Sequence, residues 1–483
     1  MFFEPDTDGH LLVYGTSGAG KTAALRTIAT AVGAAPEVGT ATVYGLDFGT
    51  GSLRSIEALP HVGSVVAGDD VERVQRMLRT IRSMLDDRAK RFSAVNAGSL
   101  SEYRDLAARP REPRVLLLID GFGTFKQEWE STAARSAFYN IFMRVLGEGR
   151  PLGIHAVVSA DRYGAVPTAV SANVSRRVVL RMSDEGAYSI LGAPKDVLNE
   201  RSGPGRAIVD GFETQLAVMG GTANVAQQTA ALQAFGAELR ARGAMEAGEI
   251  GALPTELDIT ALPDAVDGQP VLGVSEDILG PRGFEPVGTF VVTGPPRSGK
   301  STALRALATS MARFDPEAKF FHFGGRRAVL RDFRPWVRSA ASVEDARALA
   351  KELTGIVGDE TVPGRIVIVI ENVTEFADSD AERPLKELFQ AINRSDHFLM
   401  GDGDVSQLGS GYGFIGDFKG GRRGIVLKPD TYDGDAVFKV PFPRVQRHEF
   451  PEGRGIFVEN GRYVTVQLPW HEDARGESSP LSR

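Results

Sequence analysis

Two stretches of this 483-residue chain share the spacing G-x-x-x-x-G-K-[ST]: Gly15, Thr16, Ser17, Gly18, Ala19, Gly20, Lys21 and Thr22, then Gly294, Pro295, Pro296, Arg297, Ser298, Gly299, Lys300 and Ser301. Glycines at these places let successive backbone N–H groups curl inward around phosphate oxygens, and a helix that starts at the lysine aims its positive end at the same oxygens. The lysines then reach the β- and γ-phosphates, and the hydroxyls of Thr22 and Ser301 can ligate Mg²⁺. Each stretch follows an apolar run (LLVY and FVVT) and precedes a helical one, which is the context that turns the pattern into a site. Both are expected to bind Mg·ATP.

Such a site also needs an acid at the end of a neighbouring buried strand to hold the metal, and a second carboxylate to orient the attacking water. RVLLLID ends in Asp120 and RIVIVIE ends in Glu371, so the expected metal set is Thr22, Asp120, Ser301 and Glu371, and the expected catalytic set is Lys21, Asp120, Lys300 and Glu371. The following residue, where a base is often found, is Gly121 in the first case and Asn372 in the second. Neither can take a proton from water. Nucleotide binding at both sites with slow or absent hydrolysis is the expectation, unless Glu128, Glu130 or Glu375 turns in as the base.

Other candidates are weaker. GIHAVVSADRYGAV (153–166) and DHFLMGDGDVSQL (396–408) hold equivalent places near a strand end, where polar residues can sense phosphate; matched by eye, Asp161 and Arg162 face Gly403 and Asp404. His155 and His397 border apolar runs and are read as core histidines. The chain has seven histidines, no cysteine and no H-E-x-x-H spacing, which leaves no case for zinc. It also lacks G-x-S-x-G, so serine-hydrolase chemistry has no support.

The elements that position these residues occur twice. GTSGAGKTAALRTIAT (15–30) and GPPRSGKSTALRALAT (294–309) lie 279 positions apart, the two acidic strands follow in the same order, and PGRAIVDGFETQL (204–216) matches EGRGIFVENGRYVTVQL (452–468) as a Gly-Arg-opened strand pair. Asp120 comes 105 positions after Gly15, but Glu371 comes 77 after Gly294. The extra length is assigned to a helical hairpin in the basic stretch 71–92, where Val71, Val74, Leu78, Ile81 and Leu85 recur at helical spacing. Strands that are apolar throughout are buried on both faces, so each unit is expected to be an α/β domain, a mostly parallel sheet covered by helices. The boundaries are drawn at 1–225 and 251–470, with a linker helix at 226–250 and a disordered tail at 471–483.

Composition narrows the class. With 42% hydrophobic and 24% charged residues the chain is globular, and 55 basic against 62 acidic side chains gives −7, which supplies no general attraction to nucleic acid or anionic lipid. No apolar run approaches the ~18 residues of a membrane span, and the start lacks the basic and apolar regions of an export signal. The absence of cysteine fits a reducing compartment, so the chain reads as cytoplasmic.

The residues DGHLLVYGTSGAGKTAALRTIA, SLSEYRDL, PLGIHAVVSADRYGAV, VSRRVVLRMSD and the PGR-type close of each unit resemble the FtsK/SpoIIIE-type P-loop ATPases, and among them the multi-ATPase EccC proteins of type VII secretion. The resemblance covers about residues 1–470. It implies a RecA-like fold in each unit, and it likens the chain to modules two and three of a three-ATPase protein, modules that bind ATP without efficient turnover. It further implies membrane helices in a preceding segment, the chain being a fragment of a longer protein. The partners it implies are the rest of the secretion ATPase and its membrane complex, an exported helical-hairpin substrate, and a possible homo-oligomer. DNA translocases of the same superfamily usually carry Asp-Glu at the acidic strand end and Thr-Gln at the sensing strand, where this chain has Asp120-Gly121 and Ala160-Asp161. The alternative reading, a DNA-translocating motor, rests on the basic run Arg73, Arg76, Arg79, Arg82, Arg88, Lys90 and Arg91. A nucleotide-stabilised scaffold without catalysis is a third.

Overall fold

Strands rich in Val, Leu and Ile with no polar alternation bury both faces, and that demand organises both halves of the chain. The computed structural model describes residues 3–34, 41–132, 135–325, 328–333, 336–359, 364–411 and 413–470, and it divides into two compact units, Met1–Gly251 and Ala252–Arg483. The expected tail, 471–483, lies outside the described residues.

Unit 1 is an eight-stranded sheet made of β1 (Leu11–Tyr14), β2 (Ala41–Asp47), β3 (Val62–Ala67), β4 (Arg114–Asp120), β5 (Ile154–Ala160), β6 (Arg176–Leu180), β7 (Arg206–Val209) and β8 (Phe212–Gln215), in the order β3-β2-β4-β5-β1-β6-β7-β8. The first six are parallel; β7 and β8 form the antiparallel hairpin opened by Gly205-Arg206. Helix α1 (Lys21–Ala34) leaves the phosphate loop and packs Leu25 and Ala29 against Val13, Leu118 and Val157 on one sheet face. The other face carries Leu12, Leu117 and Ile119 with the aromatic group Phe122, Phe125, Trp129 and Phe142. Helices on both faces leave the carboxyl ends of the parallel strands as the open edge, where ligands of such sheets sit.

The basic stretch forms helix α2 (Val71–Ala94), capped by the Asp70 side chain and anchored by Val74, Leu78, Ile81 and Leu85. Its arginines are largely engaged within the unit. Arg76 pairs with Glu72, Arg82 with Asp86, and Arg91 with Asp87 and Glu112, while Arg79 lies over the Phe138 ring. Arg88 is 3% exposed and donates to the carbonyls of Leu152, Gly153 and Pro113, which ties α2 to the segments leading into β4 and β5. Burial lowers its pKa to about 10.

Helix α3 (Val225–Ala241) starts at an Asn224 cap and puts Leu232 and Leu239 into the core beneath α1. Beyond it, Ala247 donates to the Pro60 carbonyl and Ile250 to the Ser64 hydroxyl. The segment expected as a linker helix at 226–250 is thus built into unit 1: the helix ends at Ala241 and buries Leu232 and Leu239 in that unit's core.

Unit 2 contains β9 (Ala265–Val266), β10 (Gln269–Ser275), β11 (Gly280–Gly283), β12 (Gly288–Gly294), β13 (Lys319–Phe323), β14 (Trp336–Ala340), β15 (Ile366–Ile370), β16 (Phe398–Asp404), β17 (Gly424–Leu427), β18 (Arg454–Glu459) and β19 (Arg462–Gln467). The order β14-β13-β15-β16-β12-β17-β18-β19 repeats that of unit 1 strand for strand, and β10 and β11 extend the antiparallel edge. Helix α4 (Lys300–Phe314) matches α1, and helix α5 (Val343–Val357) occupies the place of α2. The stretch 71–92 is therefore only partly extra. Over half of the extra length comes from extending this helix, 24 residues against 15, and from a short added helix at Leu100–Leu106. Among the described residues, no helix is long and apolar enough to cross a membrane.

One buried histidine makes the fold of unit 1 sensitive to acid. His10, 2% exposed, accepts at Nδ1 from the Ala156 N–H and donates from Nε2 to the Leu146 carbonyl, an arrangement only the neutral ring can satisfy. Burial holds its pKa at about 4, below the ordinary 6.5. The unfolded state binds the proton first, so stability is full above pH 6.5 and is lost as pH falls toward 4. Chemical denaturation at pH values between those limits should show unit 1 losing about 3 kcal/mol, less in His10→Gln.

Candidate functional site

The loop between β1 and α1 and the loop between β12 and α4 have one backbone shape. Gly18 and Gly20 adopt φ of 71° and 107°, and the equivalent Arg297 and Gly299 adopt 61° and 94°. These left-handed residues turn adjacent N–H groups to one side and make an anion-binding concavity. Ala19 and Ser298 are buried beneath the loops, and Ser17, Gly18, Pro296 and Arg297 are exposed at the rims. Thr16 and Pro295 lend their carbonyls to the lysines: Lys21 Nζ lies 3.1 Å from Thr16 O and Lys300 Nζ lies 3.2 Å from Pro295 O.

In unit 1 the acid expected from the sequence meets its loop. Thr22 Oγ1 donates to Asp120 Oδ2 at 2.6 Å, and Ser159 Oγ donates to Asp120 Oδ1 at 2.5 Å while accepting from the Gly121 N–H at 2.9 Å. A hydroxyl and a carboxylate oxygen within hydrogen-bond distance, beside a phosphate cradle, are the hard oxygen donors that Mg²⁺ takes from a protein when phosphate and water supply the remainder. The residues present fit Mg·ATP. Among the described residues no group of three or more His, Asp or Glu side chains forms a metal cage of its own.

In unit 2 the expected acid is engaged elsewhere. Glu371 Oε1 accepts from His322 Nε2 at 3.0 Å and from the Leu330 N–H at 2.8 Å, and Oε2 accepts from the Val329 N–H at 2.9 Å. The carboxylate holds the 329–330 turn to the strand ends and has no hydrogen bond with Ser301. One strand over, Asp402 is 6% exposed and accepts the Asn372 N–H at 2.8 Å through Oδ1. Burial raises its pKa to about 6, against the pull of the Asn372 N–H and Lys300.

The strand registers correct the by-eye match of the sensing strands. Tyr14 pairs with Ala160 and Thr293 with Gly403, then Gly294 pairs with Asp404. Asp161 is therefore the counterpart of Asp404, not of Gly403. Both do the same thing: Asp161 Oδ1 lies 2.7 Å from Lys21 Nζ, and Asp404 Oδ1 lies 2.7 Å from Lys300 Nζ. A γ-phosphate entering either loop would compete with these carboxylates for the lysines. The Asp161 side chain is 72% exposed and that of Asp404 is 34% exposed, so solvent weakens the first pair more. Asp161→Asn should tighten ATP binding roughly two- to fivefold and Asp404→Asn about tenfold, measured by equilibrium titration.

The residue after each acid is also explained. Gly121 (φ 82°, ψ 49°) and Asn372 (φ 50°, ψ 66°) both lie in the left-handed region that Gly and Asn tolerate best. Asn372 Nδ2 donates to Glu375 Oε1 at 2.8 Å, Glu130 pairs with Lys126, and Glu128 lies 3.9 Å from Arg135, so each glutamate weighed as a substitute base has a basic or amide partner. His155 is fully buried with Nδ1 on the Gly9 carbonyl, and His397 Nδ1 accepts the Ile366 N–H; both serve the backbone.

The sequence reading missed Ser159, Asp402, Arg181 and Lys428. Arg181 follows β6, receives the Thr16 N–H on its carbonyl, and has its guanidinium held by the carbonyls of Glu200 and Ser202, with NH2 3.8 Å from where a Cβ on Gly18 would lie. Lys428 follows β17 at the matching place. A basic residue directly after the strand beside each phosphate loop was the available signal.

Residues 1–219 match the FtsK/SpoIIIE family. The chain is 26% identical over 491 residues to the ESX secretion system protein EccC of Thermomonospora curvata, covering 93% of this chain and 36% of that protein. It is 23% identical to the ESX secretion system protein YukB of Bacillus subtilis, covering 96% of this chain and 32% of that one. It thus spans about a third of the length of these curated relatives. Among solved structures, Thermomonospora curvata EccC (ATPases 2 and 3) in complex with a signal sequence peptide superposes with a TM-score of 0.67 at 23% identity, covering 98% of this chain and 90% of that one. EssC (ATPases 2 and 3) from Geobacillus thermodenitrificans gives 0.75 at 18% identity, covering 98% and 93%. Residues 1–219 are thus similar to the FtsK/SpoIIIE family, and over nearly its whole length the chain has the fold of the solved EccC and EssC ATPase 2 and 3 structures.

Proposed function

We propose that both units bind Mg·ATP and hold it with slow turnover, as regulatory and substrate-recognition modules of a type VII secretion ATPase. The observation that carries this is the repetition of a complete phosphate cradle beside a residue, Gly121 or Asn372, that has no carboxylate and sits in a backbone conformation a glutamate would strain. In unit 1, Lys21 and the loop N–H groups hold the phosphates, and Thr22 and Asp120 hold the metal. In unit 2, Lys300 and Ser301 take the matching parts. Bound nucleotide stabilises each unit by mass action and fixes the loops around it. The partners in this reading are the remaining ATPase and its membrane complex, other copies of the chain, and an exported helical-hairpin protein; the signal sequence peptide bound to the similar Thermomonospora curvata protein supports a peptide-borne export signal as the element recognised.

The test is turnover. Steady hydrolysis should stay below about 0.1 per second, against the roughly ten per second of a median enzyme, and double-stranded DNA should not change it. DNA-stimulated hydrolysis would favour the translocase, a reading that has lost support because most arginines of α2 are paired or buried. Restoring an acid will not rescue the chemistry. A Cβ on Gly121 would lie 3.0 Å from the Phe48 backbone, and the left-handed φ adds about 1–2 kcal/mol of strain for a residue other than Gly. Gly121→Glu should therefore lower the stability of unit 1 by about 2 kcal/mol and leave turnover near its starting value.

A further inference from the structure

In unit 1 the position beside the acidic strand end is a serine, and in unit 2 it is an aspartate. Ile119 pairs with Val158 and Ile370 with Gly401, so the next positions, Asp120 with Ser159 and Glu371 with Asp402, are cross-strand neighbours in the two sheets. The local hydrogen bonds agree: the Gly121 N–H goes to Ser159 Oγ, and the Asn372 N–H goes to Asp402 Oδ1. The two places are equivalent in the strand and in the bond they accept.

Their occupants have exchanged chemistry. Asp120 faces its loop through the Thr22 hydroxyl and is steadied by Ser159. Glu371, longer by one methylene, has both oxygens satisfied by His322 and the Val329 and Leu330 N–H groups, a set of three donors that stabilises a buried carboxylate and leaves little reason for it to turn toward a metal. Asp402 accepts a hydrogen bond at one oxygen only, and among the described residues its Oδ2 accepts none. Burying a carboxylate so incompletely satisfied is costly unless a cation completes it. Lys300, whose charge acts on Asp402, is held at 2.7 Å by Asp404.

We infer that Asp402, not Glu371, is the carboxylate that holds Mg²⁺ with Ser301 at the second phosphate loop, and that Glu371 is a structural anchor for the 329–330 turn. The acid has moved one strand across the sheet, from β15 to β16, the strand that pairs directly with the β12 strand leading into the loop. This assignment rests on the reading of unit 2 as a nucleotide site.

The experiment uses the full chain with Lys21→Ala, so that unit 1 does not report, and a fluorescent ATP analogue titrated once with Mg²⁺ and once with EDTA. In this background Mg²⁺ should tighten binding by about tenfold or more. Asp402→Ser, which installs the residue that unit 1 carries and keeps an acceptor for the Asn372 N–H, should reduce that ratio to less than about twofold while binding in EDTA holds or tightens. Glu371→Gln should keep the ratio and lower the melting temperature of unit 2. The opposite pattern, with the ratio kept in Asp402→Ser and lost in Glu371→Gln, overturns the assignment. Absence of binding in both media removes the nucleotide reading of unit 2, and this inference with it. Paramagnetic broadening by Mn²⁺ of the bound analogue gives a second readout that a folding defect alone would not move.

Discussion

Lys21→Ala and Lys300→Ala should each weaken ATP binding by about 100-fold at the unit that carries the change and leave the other unit near its original affinity. Each ammonium folds back onto its own loop, Lys21 at the Thr16 carbonyl and Lys300 at the Pro295 carbonyl, and a charge-assisted hydrogen bond from such a group to phosphate contributes about 1.5–3 kcal/mol. Each lysine pairs with an aspartate of its own unit, Lys21 with Asp161 and Lys300 with Asp404. Titration of the two single variants and the double variant checks this: two independent losses are expected, and a single variant that empties both sites would show that one nucleotide organises the other.

The second large effect is on stability. Glu371→Ala should destabilise unit 2 by about 3–5 kcal/mol, since it strands the His322 ring N–H and the N–H groups of Val329 and Leu330 in a buried place. A domain holds only about 5–15 kcal/mol in total, so chemical denaturation should show unit 2 unfolding well before unit 1. Asp120→Ala removes bonds that Thr22 and Ser159 can replace with water or nucleotide, and its cost should be smaller. If the two alanine variants prove equally stable, Glu371 is not the anchor described above.

How much of this was legible in the sequence depends on how local the physics is. A phosphate loop is a local object: eight consecutive residues set the φ values, the lysine and the hydroxyl, and the helix follows directly, so both cradles could be read by spacing alone. The repeat, the parallel sheets and the acidic strand ends were readable for the same reason. What escaped depends on strand register. Ser159 and Asp402 acquire their significance from lying beside β4 and β15, and Asp161 and Asp404 become equivalent only when their strands are paired with β1 and β12. A one-residue slip in a strand moves every side chain to the other face, and the by-eye alignment of the sensing strands made that slip. The fate of Glu371 was hidden further, because its partners come from β13 and from a turn about forty positions away. The role of 226–250 was missed because a helix that ends in Gly and Pro looks the same whether it bridges two domains or caps one.

The central claim is that both loops grip ATP and neither breaks it readily. It is tested most directly by incubating the chain with excess Mg·ATP for an hour, removing free nucleotide and identifying what remains bound. Close to two nucleotides per chain are expected, almost all of them ATP. A chain that emerges empty, or loaded mainly with ADP, contradicts it.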